Sequence, residues 1–284
     1  MTAAQPVLAV LHPGSMGAAV AACAVSTGVE VVWCPSGRSA ATVRRAEQAG
    51  LGPVTKLDEL LERAEVVLSL CPPAAAEDVA RDVAERGFAG VFVEGNAISP
   101  ARARRIADLV GRSARAVVDG AVVGSPPTGG KRTKLFLSGP SAATGRVAAL
   151  FAGTAVSTPV LGEEIGQASA LKVSYTAYQK ASRVLAALAY GVAQHHGVDR
   201  VLLEVAGGRQ GSYLAETGYI AKTAARAWRW APELEEAADT LRAAGLPDEV
   251  MRAVADTLRH WTDAKDDQGI SVEDALEMLR GSSR

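Results

Sequence analysis

Lys172 is the residue of this chain best suited to proton transfer. It is the only charged residue between positions 165 and 179, where its neighbours include Ala, Leu, Val, Ser and Tyr. Burial among such neighbours disfavours an ammonium and lowers its pKa, which suits proton exchange with a hydroxyl or carbonyl. Tyr175, Thr176 and Gln179 follow at helical spacing and are predicted to contact the same substrate. The alternative is a structural lysine that reaches solvent or pairs with a carboxylate.

The N-terminal segment has the pattern of a phosphate-binding turn. An apolar run at residues 7–11 is followed by His12-Pro13-Gly14-Ser15-Met16-Gly17 and then by a small-residue helix. Gly14 allows the backbone to approach a pyrophosphate, and Gly17 allows the helix to pack closely on the strand. Amides at the start of the helix then bind the phosphates. The predicted cofactor contacts are Pro13, Gly14, Ser15, Met16 and Gly17, while His12 replaces the first glycine of the G-x-G-x-x-G pattern.

The end of the second predicted strand indicates which dinucleotide is bound. NAD sites place a carboxylate here to bind the ribose 2′-hydroxyl, but residues 32–39 contain no acid. Arg38 instead offers a guanidinium for a 2′-phosphate, with Ser36 and Ser39 as additional donors. We therefore predict NADP(H) rather than NAD(H) as the cofactor. The alternative is an arginine in a solvated loop before a helix.

Three loops at predicted strand ends are expected to surround the ligand, because open α/β sheets bind ligands at the carboxyl ends of their strands. Cys71-Pro72-Pro73 is predicted to contact the cofactor, and Cys71 is not expected to be a nucleophile because no histidine suggests itself as a base. Asn96, in the second loop, is predicted to contact the nicotinamide or a substrate hydroxyl. The third loop, residues 119–127, is predicted to bind substrate through Asp119, Gly124 and Ser125.

Strand and helix signals alternate through the first half of the chain. β-rich runs occupy residues 7–11, 29–33, 66–70, 91–94, 116–119, 135–138 and 155–160. Helical patterns lie between many of them, at residues 40–48, 57–63, 75–86, 100–110 and 142–151. Apolar strands separated by helices predict an α/β domain, residues 1–162, with a mainly parallel doubly wound sheet.

The remainder, residues 163–284, is predicted to be an all-α domain for substrate binding and dimerisation. It begins with a connecting helix, residues 163–196, of roughly 45–50 Å at 1.5 Å per residue. That helix is apolar on nearly every side, so it is expected to be buried all round, against its own domain and a second subunit. Trp228, Trp230 and Trp261 are predicted to fill the helical core, and the tail at 281–284 is predicted to be disordered.

Composition favours a cytoplasmic protein that binds small molecules. The net charge is −1 and the sequence pI about 6.5, which favours neither nucleic acid nor an anionic membrane as a partner. No signal-peptide pattern and no membrane-length apolar run is found. Scattered Cys23, Cys34 and Cys71 match no disulfide framework or zinc spacing, and adjacent His195 and His196 point apart on a helix. We predict no metal site.

The whole chain resembles the β-hydroxyacid dehydrogenase family, which includes 6-phosphogluconate and 3-hydroxyisobutyrate dehydrogenases. Residues 15–17 resemble the end of the family's G-x-G-x-M-G turn, residues 94–96 its loop after the fifth strand, and residues 119–125 its D-A-P-V-S-G-G substrate loop. Lys172 resembles the lysine of its G-x-x-x-K-x-x-N pattern. The variant His-Pro-Gly-x-Met-Gly turn, with a later Gly-Ser-Pro-Pro, is similar to a bacterial branch with a C-terminal domain of unknown function.

This resemblance implies a Rossmann domain, a long interdomain helix, a helical C-terminal domain and a homodimer formed through that domain. It also implies hydride transfer with Lys172 as general acid/base. Two positions depart from the family: Val123 replaces the substrate-loop serine, and Tyr175 replaces the asparagine after the lysine. Both departures bear on the substrate, since the family uses those polar groups to hold a small hydroxy acid.

These features predict an NADP-dependent oxidoreductase that moves hydride between nicotinamide and a small hydroxy acid or carbonyl compound. Decarboxylation follows oxidation if the substrate is a 3-hydroxy acid. One alternative is an imine or ketone reductase with Tyr175 as proton donor or orienting group. Imine reductases share this architecture but lack the lysine, so Lys172 favours carbonyl or alcohol chemistry. Another alternative is a non-catalytic NADP-binding protein.

Overall fold

The computed structural model describes residues 6–208, 213 and 216–280 of the 284-residue chain. It divides into two compact units, Met1–Thr176 and Ala177–Arg284. The sequence predicts a boundary after residue 162, whereas this division falls inside a long helix. The first turn of that helix is hydrogen-bonded to the sheet of the first unit, which explains the shift. The predicted disordered tail, residues 281–284, lies outside the described residues.

In the described part of the first unit, the strands form one sheet: β1 Val7–Val10, β2 Glu30–Trp33, β3 Gly52–Pro53, β4 Val66–Ser69, β5 Val91–Glu94, β6 Ala116–Val123, β7 Thr133–Ser138, β8 Val156–Ser157 and β9 Val160–Gly162. The strand order is β3-β2-β1-β4-β5-β6-β7-β8, and β9 pairs with β7. Neighbours from β3 to β6 are parallel, β7 is antiparallel to β6, and β8 and β9 are parallel to β7. The mainly parallel sheet confirms the predicted α/β class.

Six helices of the first unit cover this sheet: α1 Ser15–Val25, α2 Ala40–Gln48, α3 Leu57–Arg63, α4 Ala76–Glu85, α5 Pro100–Val110 and α6 Ser141–Ala149. The sheet has an apolar core on each face, because successive side chains of a strand point to opposite sides. Leu8 and Val10 belong to one core, and Ala9 and Leu11 belong to the other. The central strands β4 and β5 are buried along their whole length.

The strands of the first unit differ from the predicted ones in three places. The two-residue strand β3 was not predicted, because Gly52-Pro53 carries no β-rich run. The predicted strand at 155–160 is divided into β8 and β9. Strand β6 continues to Val123, so the first part of the predicted 119–127 loop is paired with β7.

The long helix α7, Gln167–His195, begins four residues later than predicted. Gly166 precedes it with φ +106°, a left-handed conformation that interrupts the helix and favours glycine. In the single chain Leu171, Val173 and Tyr175 are 36%, 40% and 38% exposed, so burial on all sides, which includes a second subunit, stays a prediction. Val184 and Leu188 are also predicted to be buried, but their side chains lie outside the part that the structure describes.

The second unit contains helices α8 Asp199–Gly207, α9 Tyr219–Ala243, α10 Glu249–Arg259 and α11 Val272–Arg280. Trp261 is buried in their core and its indole N–H donates to the carbonyl oxygen of Ala275 at 2.7 Å. Trp230 packs against this core, as predicted. Trp228 is instead 43% exposed, because its indole bonds Asp266 and lies under Lys265 beside the core. No described helix is long and apolar enough to cross a membrane.

Candidate active site

The turn between β1 and α1 has the shape of a phosphate cradle. Gly14 caps α1, and a Cβ built on it would meet nothing within 4 Å, so the space above the turn is open. A Cβ on Gly17 would lie 2.5 Å from the carbonyl oxygen of His12, so only glycine fits without moving the turn. The amides of Ser15 and Met16 belong to the first helical turn, whose N–H groups lack helical partners and can bind phosphate oxygens. The turn therefore fits a pyrophosphate despite the histidine.

Lys172 lies in a cavity of about 210 Å³ in the first unit. Its ammonium donates a hydrogen bond of 2.7 Å to the carbonyl oxygen of Val122, near the carboxyl end of β6. The cavity brings together residues predicted from separate segments, and its lining is Met16, Leu70, Cys71, Pro73, Gly95, Asn96, Ala97, Val122, Gly124 and Lys172. Predicted cofactor, substrate and catalytic residues thus meet at one edge of the sheet.

Asp119 does not face this cavity, contrary to its predicted role in substrate binding. Its side chain is fully buried at the end of the β5–β6 pairing. One carboxylate oxygen accepts from the amides of Gly166 and Ser169, at 2.9 and 3.0 Å, and the other from the Ser169 hydroxyl at 2.6 Å. Asp119 is therefore a positioning residue: it satisfies amides at the start of α7 and anchors that helix to the sheet.

Asn96 is held by three hydrogen bonds at the floor of the cavity. Its side-chain oxygen accepts from the amide of Cys71 at 2.6 Å, and its side-chain nitrogen donates to the Ser69 hydroxyl at 3.1 Å. Its own amide donates to the Glu94 carboxylate at 3.0 Å. These bonds join the loops after β4 and β5, so Asn96 has a fixed orientation beside Lys172.

Glu94 is a buried carboxyl directly behind Asn96, and it is 1% exposed. Its second oxygen, Oε2, is buried and has no hydrogen-bond partner among the described residues. Burial raises the pKa of Glu94 to about 7, the Asn96 amide opposes that rise, and the nearby Asp119 carboxylate adds to it. Glu94 is not among the predicted site residues, although an acid that ends the apolar run Val91–Glu94 is the signal that marks it.

Cys71 is not an activated nucleophile in this setting. Burial raises the pKa of its thiol, and the nearby Glu94 carboxyl adds to the rise. The thiol therefore stays protonated at neutral pH. Cys71 lines the cavity, and its contact to a cofactor stays a prediction.

A second cavity of the first unit, of about 370 Å³, lies beside the ends of β1 and β2. It is lined in part by His12, Ser36 and Arg38. The pKa of His12 is lowered to about 4, mainly by burial and to a lesser degree by the Arg38 guanidinium, so its imidazole is neutral at pH 7. Its Nδ1 is buried without a partner in the described part of the chain. Ser39 instead accepts from the amide of Thr42 at 3.3 Å and caps α2.

Other predicted site residues lie outside the Lys172 cavity of the first unit. Tyr175 and Thr176 follow Lys172 along α7, and Gln179 belongs to the second unit. The Ser125 carbonyl accepts from the Thr133 hydroxyl at 2.6 Å, which closes the turn after β6. Pro72 stands immediately before the short 3₁₀ helix Pro73–Ala75, while Pro13 is buried within the phosphate turn. Substrate contacts of Ser125, Tyr175, Thr176 and Gln179 stay predictions.

Residues 8–162 match the family model described as the NAD binding domain of 6-phosphogluconate dehydrogenase. The chain belongs to that family. Residues 193–261 match a second model, a domain of unknown function termed DUF1932. Both matches confirm the resemblance inferred from the motifs. The chain is thus an NAD(P)-binding protein of dehydrogenase/reductase type.

Known proteins similar to this family member include one curated relative. An uncharacterized 28.5 kDa protein of Methanothermus fervidus is 28% identical over 177 residues, which span 62% of this chain and 67% of the relative. Among solved structures, an imine reductase of Streptomyces aurantiacus has a TM-score of 0.74 and 22% identity over 96% of this chain and 99% of its own.

Two further solved structures share the fold. A reductive aminase of Aspergillus terreus, in complex with NADPH and ethyl levulinate, has a TM-score of 0.75 and 17% identity, over 97% of this chain and 100% of its own. A conserved protein of unknown function, noted for its similarity to 3-hydroxyacid dehydrogenases, has a TM-score of 0.60 and 24% identity over 91% of this chain and 98% of its own. At these identities the likeness establishes the fold.

The raised pKa of Glu94 predicts how the stability of the protein depends on pH. Its pKa is raised from 4.5 to about 7 in the folded protein, so between those values the folded state holds a proton that the unfolded state has released. The free energy of unfolding should therefore fall as pH rises through this window, by about 3 kcal/mol from this group alone. Glu94→Gln removes that decline and keeps an oxygen for the Asn96 amide.

The measurement is denaturant unfolding of wild type and Glu94→Gln at pH 4.5 to 8. The difference between the two curves reports on Glu94 and on groups that its charge influences, such as Cys71, since distant groups titrate equally in both proteins. Exposed Glu47 supplies the matched control, and Glu47→Gln should run parallel to wild type. Parallel curves for Glu94→Gln as well would show that Glu94 ionises normally in the folded protein.

Proposed function

We propose that this family member is an NADP-dependent oxidoreductase acting on a small hydroxy acid or carbonyl compound, with Lys172 as general acid and base. The observation that carries the proposal is the cavity in which Lys172 faces Met16 of the phosphate turn and the fixed amide of Asn96. When bound, the nicotinamide cofactor supplies or accepts the hydride. The phosphate turn at Gly14 and Gly17 would hold its pyrophosphate.

The protein's own groups would manage the proton and the substrate orientation. Lys172 is anchored by the Val122 carbonyl oxygen, which fixes the ammonium beside the cavity. An ammonium in that place donates a proton to the oxygen of a carbonyl as it is reduced, and its amine form accepts the proton of a hydroxyl in the reverse reaction. Asn96 orients the nicotinamide amide or a substrate hydroxyl.

The preference for NADP rests on the cavity beside β2. Arg38 and Ser36 line it, and no carboxylate occupies residues 32–39. A guanidinium binds a phosphate by two parallel hydrogen bonds. The ribose 2′-hydroxyl of NAD(H) is uncharged and forms no ion pair with it. NADP(H) is therefore the cofactor that this site favours.

Imine or ketone reduction is the second candidate function. It is supported by the imine reductase and reductive aminase among the structures that share the fold. Tyr175 would then be the proton donor or orienting group. Its phenol, 38% exposed on α7, lies three residues from Lys172.

We also propose that the protein is a homodimer formed through its helical region. Helix α8 has no buried residue, and Val201, Leu203 and Val205 on it are 54%, 57% and 73% exposed. Val201 and Val205 are one helical turn apart and share a face of α8, so this face favours burial against a partner, and a second copy offers the same face.

Replacing Lys172 tests the proposed chemistry. Lys172→Ala should lower kcat for reduction of an aldehyde or oxidation of a hydroxy acid by about 10²–10⁴-fold, because a general acid and base is lost. Cofactor affinity should stay unchanged. Ser174→Ala, an exposed neighbour on α7, should keep wild-type activity.

The same variants distinguish the alternatives. If Lys172→Ala reduces cyclic imines as fast as wild type and Tyr175→Phe loses that activity, the protein is an imine reductase and the proposed carbonyl chemistry is wrong. Tight NADPH binding without hydride transfer to carbonyls or imines, in wild type and variants alike, would leave a non-catalytic binding protein.

Arg38→Ala tests the cofactor preference. It should weaken NADPH binding by about 1–3 kcal/mol and leave NADH binding nearly unchanged, because the lost charge-assisted bonds involve only the 2′-phosphate. Fluorescence titration with each cofactor measures both. An equal loss for the two cofactors would contradict the assignment of Arg38.

Light scattering coupled to gel filtration tests the dimer. Wild type should have twice the 29.3 kDa mass of the chain. The double variant Val201→Glu/Val205→Glu should shift toward monomer, since burying two unpaired carboxylates is costly. Gln48→Glu, an exposed change on α2, is the control. A wild-type protein that is monomeric at micromolar concentration would refute the proposal.

A further inference from the structure

We propose that Lys56 is a second recognition residue for the 2′-phosphate of the cofactor, in the cavity that Arg38 also lines. We further propose that Arg86 supports it by holding two neighbouring carboxylates. The inference rests on the proposed NADP site and identifies residues that decide between NADP and NAD. It was not accessible from the sequence pattern, because Lys56 follows a strand of only two residues.

The sheet places Lys56 beside Arg38. Strands β2 and β3 are parallel neighbours, with Trp33 opposite Pro53, so the loops that follow them leave the same edge. The amide of Val54 donates to the carbonyl oxygen of Trp33 at 2.9 Å and holds the two loops together. Arg38 and Lys56 both line the 370 Å³ cavity that these loops enclose.

The acids that line this cavity are paired with an arginine. Asp58 and Asp82 line it, and both pair with the Arg86 guanidinium, at 2.9 and 3.7 Å. Nearby, the Glu59 carboxylate accepts from the amide and hydroxyl of Thr55, at 3.0 and 2.8 Å. No acid of the described chain lies within ion-pairing distance of Arg38 or Lys56.

The cavity therefore offers two cations without a counter-ion. His12 adds no charge at pH 7, because its pKa is about 4. A phosphomonoester carries up to two negative charges, and two cations in the same cavity match them. The lysine stem has four flexible carbons, which lets an exposed ammonium close on a bound phosphate.

This charge arrangement selects between the two cofactors. In NADPH the 2′-phosphate would meet both cations. In NADH the same position carries a neutral hydroxyl, which gains little from an ammonium. Lys56 therefore adds to the affinity for NADPH and hardly to that for NADH, so it determines specificity.

The test compares Kd values for NADPH and NADH by titration of wild type, Lys56→Gln and Lys134→Gln. Lys56→Gln should weaken NADPH binding about tenfold and change NADH binding less than about twofold. Lys134, exposed on β7, is the matched control, and Lys134→Gln should alter neither Kd. Titration with 2′-AMP and 5′-AMP should reproduce the difference at the level of the fragment.

Separate variants test the role of Arg86. Arg86→Gln frees Asp58 and Asp82 to repel the phosphate, so it should weaken NADPH binding severalfold and NADH binding less. Adding Asp58→Asn and Asp82→Asn to Arg86→Gln should restore the NADPH affinity. Failure of this rescue would show that Arg86 acts through folding rather than through charge.

The outcomes separate this inference from the proposed function. An unchanged NADPH affinity in Lys56→Gln, with the loss seen in Arg38→Ala, would overturn the role of Lys56 and leave the NADP site intact. Equal losses for NADPH and NADH would place Lys56 at a part common to both cofactors and also overturn it. Wild type that binds neither cofactor would refute the proposed function itself.

Discussion

The buried carboxylate of Asp119 is the constraint on which the candidate site depends. It joins the last parallel strand of the sheet to the start of α7 through Gly166 and Ser169. The Ser138 hydroxyl, which bonds the same carboxylate, also accepts from the amide of Ala168. A negative group at a helix N-terminus is favoured by the unpaired amides and by the helix dipole. These bonds fix both the position and the direction of the helix.

That attachment places Lys172. Ser169 is held at Asp119, and one helical turn later Lys172 reaches the carbonyl oxygen of Val122, three residues further along the same strand. Strand and helix therefore start from the same anchor at Asp119, and the hydrogen bond to the Val122 carbonyl oxygen helps to locate the ammonium. Asn96, which lines the same cavity, is fixed in a similar way, because its side-chain oxygen accepts from the Cys71 amide and its own amide donates to the Glu94 carboxylate.

The sequence predicted the alternating architecture because its apolar runs and glycine turn are local signals. It also indicated Lys172, since one charge in an apolar helix is visible without a structure. The role of Asp119 was mispredicted, because its partners lie about fifty positions away and no local pattern reveals them. Lys56 was missed because β3 is too short to give a strand signal, and the late start of α7 depends on the conformation of Gly166.

Titration of the wild-type protein with NADPH and NADH in parallel tests the central claim most directly. The account predicts tight binding of NADPH and much weaker binding of NADH, because the phosphate turn holds both cofactors and only the 2′-phosphate meets the cations beside β2. Binding of neither would show that His12 makes the turn unfit for a dinucleotide and would contradict the account. Equal binding of both would contradict the assignment of NADP.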